Sequence, residues 1–337
     1  MRRMLLFLVV LMPGFTVFAD EFPAIRVYEK SSRSVVLILS RFEGKQSLVG
    51  AGSLIAGRGI ILTSAHVVVD KEGGRPASNV EVFVKPEKVT GDFRRDFTLR
   101  YKADIAAYDA DLDLAVLTVR DFREDVEPIL LVRDGEIRIG EEVVAIGHPE
   151  QGGFWTLTCG RISGEIENQA NMAGRDVYQT DTNVNRGNSG GPLLDRHGRL
   201  VGVNANIARV GAGNIPITGV NFAVKSVVAG KWLEKSGYPA RYGNAADEAP
   251  GSQVADGKGA APASLKPVVS PVAQPALEPQ PGPVEQQPST GEQDRAKVPG
   301  EDKILTPRRP YRMDDFLAEV EKEMSGVMEE MRGKIRR

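Results

Sequence analysis

The chain has 337 residues, 41% hydrophobic and 26% charged, enough apolar content for one ample globular core and something besides. Its 43 basic and 45 acidic residues nearly cancel to a net charge of -2, and no basic cluster is interleaved with aromatics, so the balance implies no nucleic-acid partner. One cysteine and three histidines, scattered along the chain, exclude an intrachain disulfide and a structural zinc site; neither metal nor cofactor is expected.

At the start, Arg2 and Arg3 precede an apolar run from Leu5 to Phe18 that Pro13 and Gly14 interrupt and Ala19 closes. That pattern predicts a secretory signal peptide over residues 1–19 and hence an exported protein, secreted or periplasmic. With no disulfide available, an exported chain must hold together by core burial alone. Cys159, in "FWTLTCGRI", reads as a small buried hydrophobe.

Residues 24–238 form a run of short β-branched segments separated by glycine, asparagine, aspartate and charged turns: "SVVLILS", "GSLIA", "GIILTS", "VEVFVK", "DLAVLTV", "EVVAIG", "RLVGVNA" and "GVNFAV". Such spacing predicts an all-β sandwich or barrel and disfavours a parallel α/β sheet. The exception, "VKSVVAGKWLEKSG", is expected to close the domain as a helix. Twelve prolines then fall between Pro250 and Pro310, with no aromatic from Gly243 to Pro310, so residues 239–310 are read as a proline-rich disordered linker. In residues 311–337, Leu317, Val320, Met324, Val327, Met331 and Ile335 make one apolar helical stripe, with Asp314 as cap and basic residues at the end. This amphipathic helix is expected to dock on the domain, on a partner or on a second copy.

The stretch "NRGNSGGPLLD" places Ser189 between Gly187 and Gly191, a nucleophile-elbow spacing that is weak by itself. An α/β-hydrolase esterase would need its acid and histidine downstream, and only His197 follows, in the turn-like "DRHG". Upstream, "GIILTSAHVVV" sets His66 after an apolar strand, and "DADLDLAVLTV" sets Asp113 before another, with Asp111 as its alternative. A serine hydroxyl needs a base to take its proton, and an imidazole needs a carboxylate to fix its tautomer and stabilise its charge. His66, Asp113 and Ser189 meet these requirements in the chain order of the chymotrypsin class. Backbone N–H groups at Gly187, Ser189 and Asn188 are candidates to receive an oxyanion, the glycine permitting close approach. His148, in "AIGHPEQ", and His197 are given no chemical role.

With "LTSAHVV", "DLAVL", "TDTNVNRGNSGGPLLDRHGRLVGVN" and "GVNFAVKS" in order over about residues 28–238, the chain resembles the HtrA/Deg branch of trypsin-like serine proteases. The resemblance implies an all-β, chymotrypsin-like pair of six-stranded barrels with the active site between them. It further implies a serine endopeptidase acting on unfolded or damaged polypeptides of the cell envelope. A homo-oligomer is implied through N-terminal aromatics such as Phe22 or Tyr28, and the apolar stripe of the C-terminal helix is the other candidate surface for self-association. Its substrate pocket would involve Asn183, Ile207, Val220, Asn221 and Phe222, which hold no carboxylate and so suit a small or medium aliphatic side chain. Three departures stand out: a linker where a PDZ domain would begin, a short "RFEGKQS" loop, and Asn188 where digestive enzymes carry an aspartate. A protein with the same fold that only captures partners, without catalysis, is the competing expectation.

Overall fold

The computed structural model describes residues 22–71, 73–149, 152–205 and 219–244, together with the single residue Ala318. The expected signal peptide, the linker after Asn244, the rest of the 311–337 tail and Ile207 lie outside the described residues. Among those described, no helix is long and apolar enough to cross a membrane.

Helix α1 (Ala24–Ser31) and a short 3-10 turn lead into β1 (Val35–Arg41), β2 (Leu48–Ala56), β3 (Ile60–Thr63), the one-turn helix α2 (Ala65–Val68), β4 (Asn79–Val84), α3 (Phe93–Asp96), β5 (Arg100–Asp109) and β6 (Leu114–Val119). These six strands close into an antiparallel barrel in the order β1-β2-β3-β6-β5-β4. The second barrel comprises β7 (Glu142–Gly147), β8 (Thr156–Ile166), β9 (Val177–Thr180), β10 (Pro192–Leu194), β11 (Leu200–Ala205) and β12 (Asn221–Lys225), in the order β10-β11-β12-β9-β8-β7. Helix α4 (Ser226–Lys235) follows, as the sequence predicts. Closure leaves neither sheet with an unpaired edge, which is how an all-β chain without disulfides avoids edge-to-edge association.

The continuous apolar run of β1 reflects burial on both faces. Val36 and Ile38 point into the first barrel, where they meet Leu54, Ile61, Val82 and Leu117. Val35, Leu37 and Leu39 point the other way, into a shared core with Val144 and Ile146 of β7. Strand β7 splits likewise, sending Val143 and Ala145 into the second barrel with Ile162, Leu193 and Val201. Because side chains alternate along a strand, a one-residue slip would exchange the two cores, so register is tightly specified. Each fully buried aliphatic side chain contributes about 1.5–3 kcal/mol, and these alternating sets fasten the barrels together.

The turns follow from local chemistry. Between β2 and β3, Arg58 (φ 63°) and Gly59 (φ 74°) both adopt left-handed backbone, the requirement of a tight hairpin whose twist matches its strands. Helix α4 ends at Gly237 (φ 81°), where Tyr238 N–H donates to Leu233 O at 2.9 Å and Gly237 N–H to Glu234 O at 3.1 Å. Packing does not stop at the boundary drawn at residue 238: Gly243 N–H donates to Leu131 O (3.0 Å), and Arg199 Nη1 to Gly243 O (3.1 Å).

One aromatic node ties the N-terminus and both barrels together. Trp155, before β8, donates its indole N–H to Val35 O at 2.9 Å, and its own carbonyl accepts the Tyr28 hydroxyl at 2.9 Å. Phe97 packs edge-on against Phe83 of the first barrel (5.3 Å) and Phe154 of the second (5.0 Å). Tyr28 thus spends its hydroxyl within its own chain. Cys159 departs from expectation: it stands exposed on an outward position of β8, and the partial desolvation its thiol retains there, seconded by the Glu142 charge, pushes its pKa up. A thiol so disposed is a poor nucleophile.

Candidate active site

Strand β3 delivers His66. After Thr63 the backbone stays extended at Ser64 (φ -82°, ψ 143°) and then winds into α2, pinned by the buried Val67 and Val68. Gly50 on the neighbouring β2 makes room, since a Cβ there would lie 2.6 Å from Val67 Cγ1. Asp113 arrives from the turn before β6, where Asp109 Oδ1 accepts the N–H groups of Asp111 (3.0 Å) and Leu112 (2.9 Å). Its own φ of 58° is left-handed, a conformation that costs a non-glycine residue about 1 kcal/mol or more and that aspartate tolerates better than most.

That turn brings Asp113, and not the exposed Asp111, to the imidazole. Both carboxylate oxygens face His66 Nδ1, at 2.9 and 2.8 Å, and Oδ1 also accepts the His66 backbone N–H at 3.0 Å. Burial alone would push the Asp113 carboxyl up. Attraction to His66, hydrogen bonds from its ring and backbone, and the Arg175 guanidinium together outweigh burial and hold the carboxyl below the usual carboxylate range. An ionised acceptor at Nδ1 fixes the tautomer with its proton there, so the other nitrogen carries the lone pair. That nitrogen, Nε2, is buried and has no hydrogen-bond partner among the described residues.

Ser189 is fixed between β2 and β11 by backbone contacts. Its carbonyl accepts the Ala51 N–H of β2 at 2.8 Å, and the Gly190 N–H donates to Asn204 O of β11 at 2.8 Å. Gly190 (φ 80°) presses on the end of β3, for a Cβ there would lie 2.1 Å from Thr63 Oγ1 and 2.8 Å from Ser64 N. The serine loop is therefore seated on the segment that carries His66. No hydrogen bond joins the Ser189 hydroxyl to His66 in this structure.

The three amides singled out as oxyanion donors divide. Asn188 N–H is donated to Asn185 O at 2.9 Å, which closes the loop and withdraws that amide from the candidates. Gly187 and Ser189 N–H groups meet no backbone carbonyl among the described residues. Gly187 has φ 92°, and a Cβ on it would stand 1.9 Å from His148 O, so no other residue fits.

Of the expected pocket residues, Asn183 is exposed and its carbonyl accepts Thr158 Oγ1 (3.1 Å), while Asn221 Nδ2 donates to Thr182 O (2.8 Å). Val220 is exposed beside them, and Phe222 turns its ring to the core between the barrels. Sequence reasoning passed over two residues. His148 is fully buried; Trp155 N–H donates to its Nδ1 at 3.2 Å, and burial lowers its pKa to about 3 against a weak opposing pull from the Val36 backbone. Arg175, in the β8–β9 loop, brings Nη2 to 3.8 Å from Asp113 Oδ2. The first was legible only as a polar residue after an apolar strand; the second had no local signal at all.

Comparison with known proteins agrees with this architecture. Residues 50–203 match the family model described as a trypsin-like peptidase domain. Protease Do-like 5, chloroplastic, of Arabidopsis thaliana is 31% identical over 218 residues, covering 59% of this chain and 65% of that protein. The probable periplasmic serine endoprotease DegP-like of Hahella chejuensis is 35% identical over 181 residues, or 53% of this chain and 34% of that protein. The chain thus spans less than two thirds of the length of either relative. A solved structure of the HtrA-type protease AlgW with a tripeptide aligns at TM-score 0.51 and 27% identity, covering 63% of this chain and 62% of that one. Motif order, the paired barrels and these likenesses converge on one description: residues 50–203 are similar to a trypsin-like peptidase domain, and the chain is similar in sequence and fold to Do-like and HtrA-type proteases.

Proposed function

We propose that the chain is a serine endopeptidase that cleaves unfolded or damaged polypeptides after export. The observation that carries this reading is the state of His66: Nδ1 is engaged by both oxygens of Asp113, at 2.9 and 2.8 Å, while the buried Nε2 has no partner and the serine loop is seated alongside. Ser189 Oγ attacks the scissile carbonyl carbon as its proton passes to His66 Nε2. The resulting oxyanion accepts hydrogen bonds from the Gly187 and Ser189 N–H groups. His66 returns the proton to the departing amine as the C–N bond breaks, leaving an ester on Ser189. Water then attacks that ester, giving a proton to His66, which restores it to Ser189 Oγ as the new carboxylic acid leaves. Asp113 stays ionised throughout and balances the imidazolium.

Export is supported by the basic, apolar and small-residue succession from Arg2 to Ala19 and by the periplasmic designation of the Hahella relative. The absence of a carboxylate among Asn183, Val220, Asn221 and Phe222 supports a small or medium aliphatic residue before the cut. Self-association through Phe22, Tyr28 or the 311–337 segment belongs to the same proposal. Casein digestion by the full chain tests the reading: the parent degrades casein and binds a serine-directed phosphonate at Ser189, and Ser189→Ala does neither. Casein digestion that survives Ser189→Ala would overturn it.

A silent protein that holds unfolded chains in the same cleft is favoured by one feature, the missing hydrogen bond between Ser189 and His66. Such bonds often form only when substrate closes the site. The silent reading predicts retention of casein without cleavage and without a phosphonate adduct.

A further inference from the structure

The β8–β9 loop places a cation against the carboxylate that orients the histidine. Arg175 Nη2 stands 3.8 Å from Asp113 Oδ2, on the oxygen that does not take the His66 backbone N–H. Both side chains are largely buried, at 14% and 10% exposure, so the contact is poorly screened by solvent. Among the described residues, Arg175 Nε is buried without a partner.

The loop holds the arginine firmly. Arg175 N–H donates to Met172 O (3.1 Å), and its carbonyl accepts Gln169 N–H (2.9 Å). Asn168 Oδ1 accepts Gly174 N–H at 2.7 Å, and Asp176 Oδ1 accepts Asn168 N–H at 3.0 Å. Ala170 takes φ 56°, between the left-handed Asn168 and Asn171, a conformation that costs alanine about 1 kcal/mol or more. The chain runs on from Arg175 directly into β9 and thence to the Ser189 loop.

We propose that Arg175 is a positioning residue of the His66–Asp113 pair, setting the charge that the carboxylate presents to the imidazole. The charged groups acting on Asp113 are His66, from α2, and Arg175, from the β8–β9 loop. By drawing part of the carboxylate's field to itself, Arg175 keeps Asp113 ionised while weakening the hydrogen bond that it accepts from the His66 Nδ1–H. This role rests on the hydrolytic reading above; the coupling itself does not.

The test is NMR of the histidine ring N–H protons, at one fixed pH, in the full chain carrying Ser189→Ala, which excludes self-digestion. Three histidines make assignment direct. With Arg175→Gln, the His66 Nδ1–H signal should move downfield of its place in the parent, because an uncompensated carboxylate accepts that hydrogen bond more strongly. Arg175→Lys should restore most of the difference, because charge rather than shape is the cause. Arg175→Met, which keeps the apolar stem, gives the same comparison if glutamine disturbs the loop. A folded Arg175→Gln or Arg175→Met chain whose His66 Nδ1–H signal coincides with the parent's would overturn the proposal. Because the readout is one ring hydrogen bond and not turnover, that failure is separable from failure of the peptidase reading, which the Ser189 phosphonate adduct decides.

Discussion

Gly187 rides on the carbonyl of His148: with φ at 92°, a Cβ on the glycine would lie 1.9 Å from that oxygen. The same backbone conformation leaves the Gly187 N–H free of any carbonyl among the described residues. Steric fit and amide direction are therefore one property of this loop. In Gly187→Ala, the loop must shift off His148, and the amide turns with it. Loss of one oxyanion donor typically lowers kcat by about 10²–10³ with little change in KM. Steady-state hydrolysis of an aliphatic peptide substrate measures this, and parent-like kcat in a folded Gly187→Ala chain would remove Gly187 from the oxyanion role.

Asp113 carries a prediction for rate and another for stability. Asparagine at this position would offer His66 a donor or a weaker acceptor, permit the wrong tautomer and leave the imidazolium unbalanced, so kcat should fall by roughly 10³–10⁴ in Asp113→Asn. On the stability side, burial would raise the folded carboxyl, but attraction to His66, the hydrogen bonds from its ring and backbone and the Arg175 guanidinium together hold it below its ordinary range. The native state therefore holds fewer protons than the unfolded chain once pH drops under the unfolded carboxylate value of about 4. The stabilisation is fully present above that pH and disappears as pH falls through the lower folded value. Urea unfolding should then show the gap between parent and Asp113→Asn narrowing below about pH 4. A gap independent of pH would mean that the charge on Asp113 contributes nothing to folding.

The legible parts of the molecule are those whose signal is local. Val35–Leu39 is an unbroken apolar run because two cores claim alternate residues, and that much can be inferred from the run itself. His66 and Ser189 stand in short motifs whose chemistry needs those residue types, and Asp113 could be narrowed to a choice with Asp111 that only the left-handed turn resolves. Asn188 misled because its amide is consumed by Asn185 O, a contact that depends on how the loop closes. Cys159 lies in an apolar-looking stretch, yet β8 turns that position outward. His148 sits among polar loop residues in sequence and is buried only because Phe154 and Trp155, from the following segment, fold over it. Arg175 could not have been found by pattern, since its partner lies on another barrel and charge pairing leaves no periodicity.

His148 supplies a pH dependence distinct from that of the His66–Asp113 pair. Its ring is fully buried, stacked edge-on to Trp155 at 5.1 Å, with Nδ1 accepting the Trp155 N–H at 3.2 Å, and burial lowers its pKa to about 3. In the unfolded chain the same imidazole takes up a proton near pH 6.5. Between these values the unfolded state binds more protons than the native one, so stability falls as pH falls, by about 1.4 kcal/mol per pH unit in the limit. Going from pH 7 to pH 5, this one residue should remove about 2 kcal/mol. His148→Asn keeps an acceptor for Trp155 N–H in Oδ1 while abolishing the titration. The variant should therefore lose less stability than the parent over that interval, by about the same 2 kcal/mol, in urea melts at the two pH values. Equal losses in the two proteins would show that the His148 pocket admits the charged ring, through water or local opening, and that the seat beneath Gly187 is softer than its packing suggests.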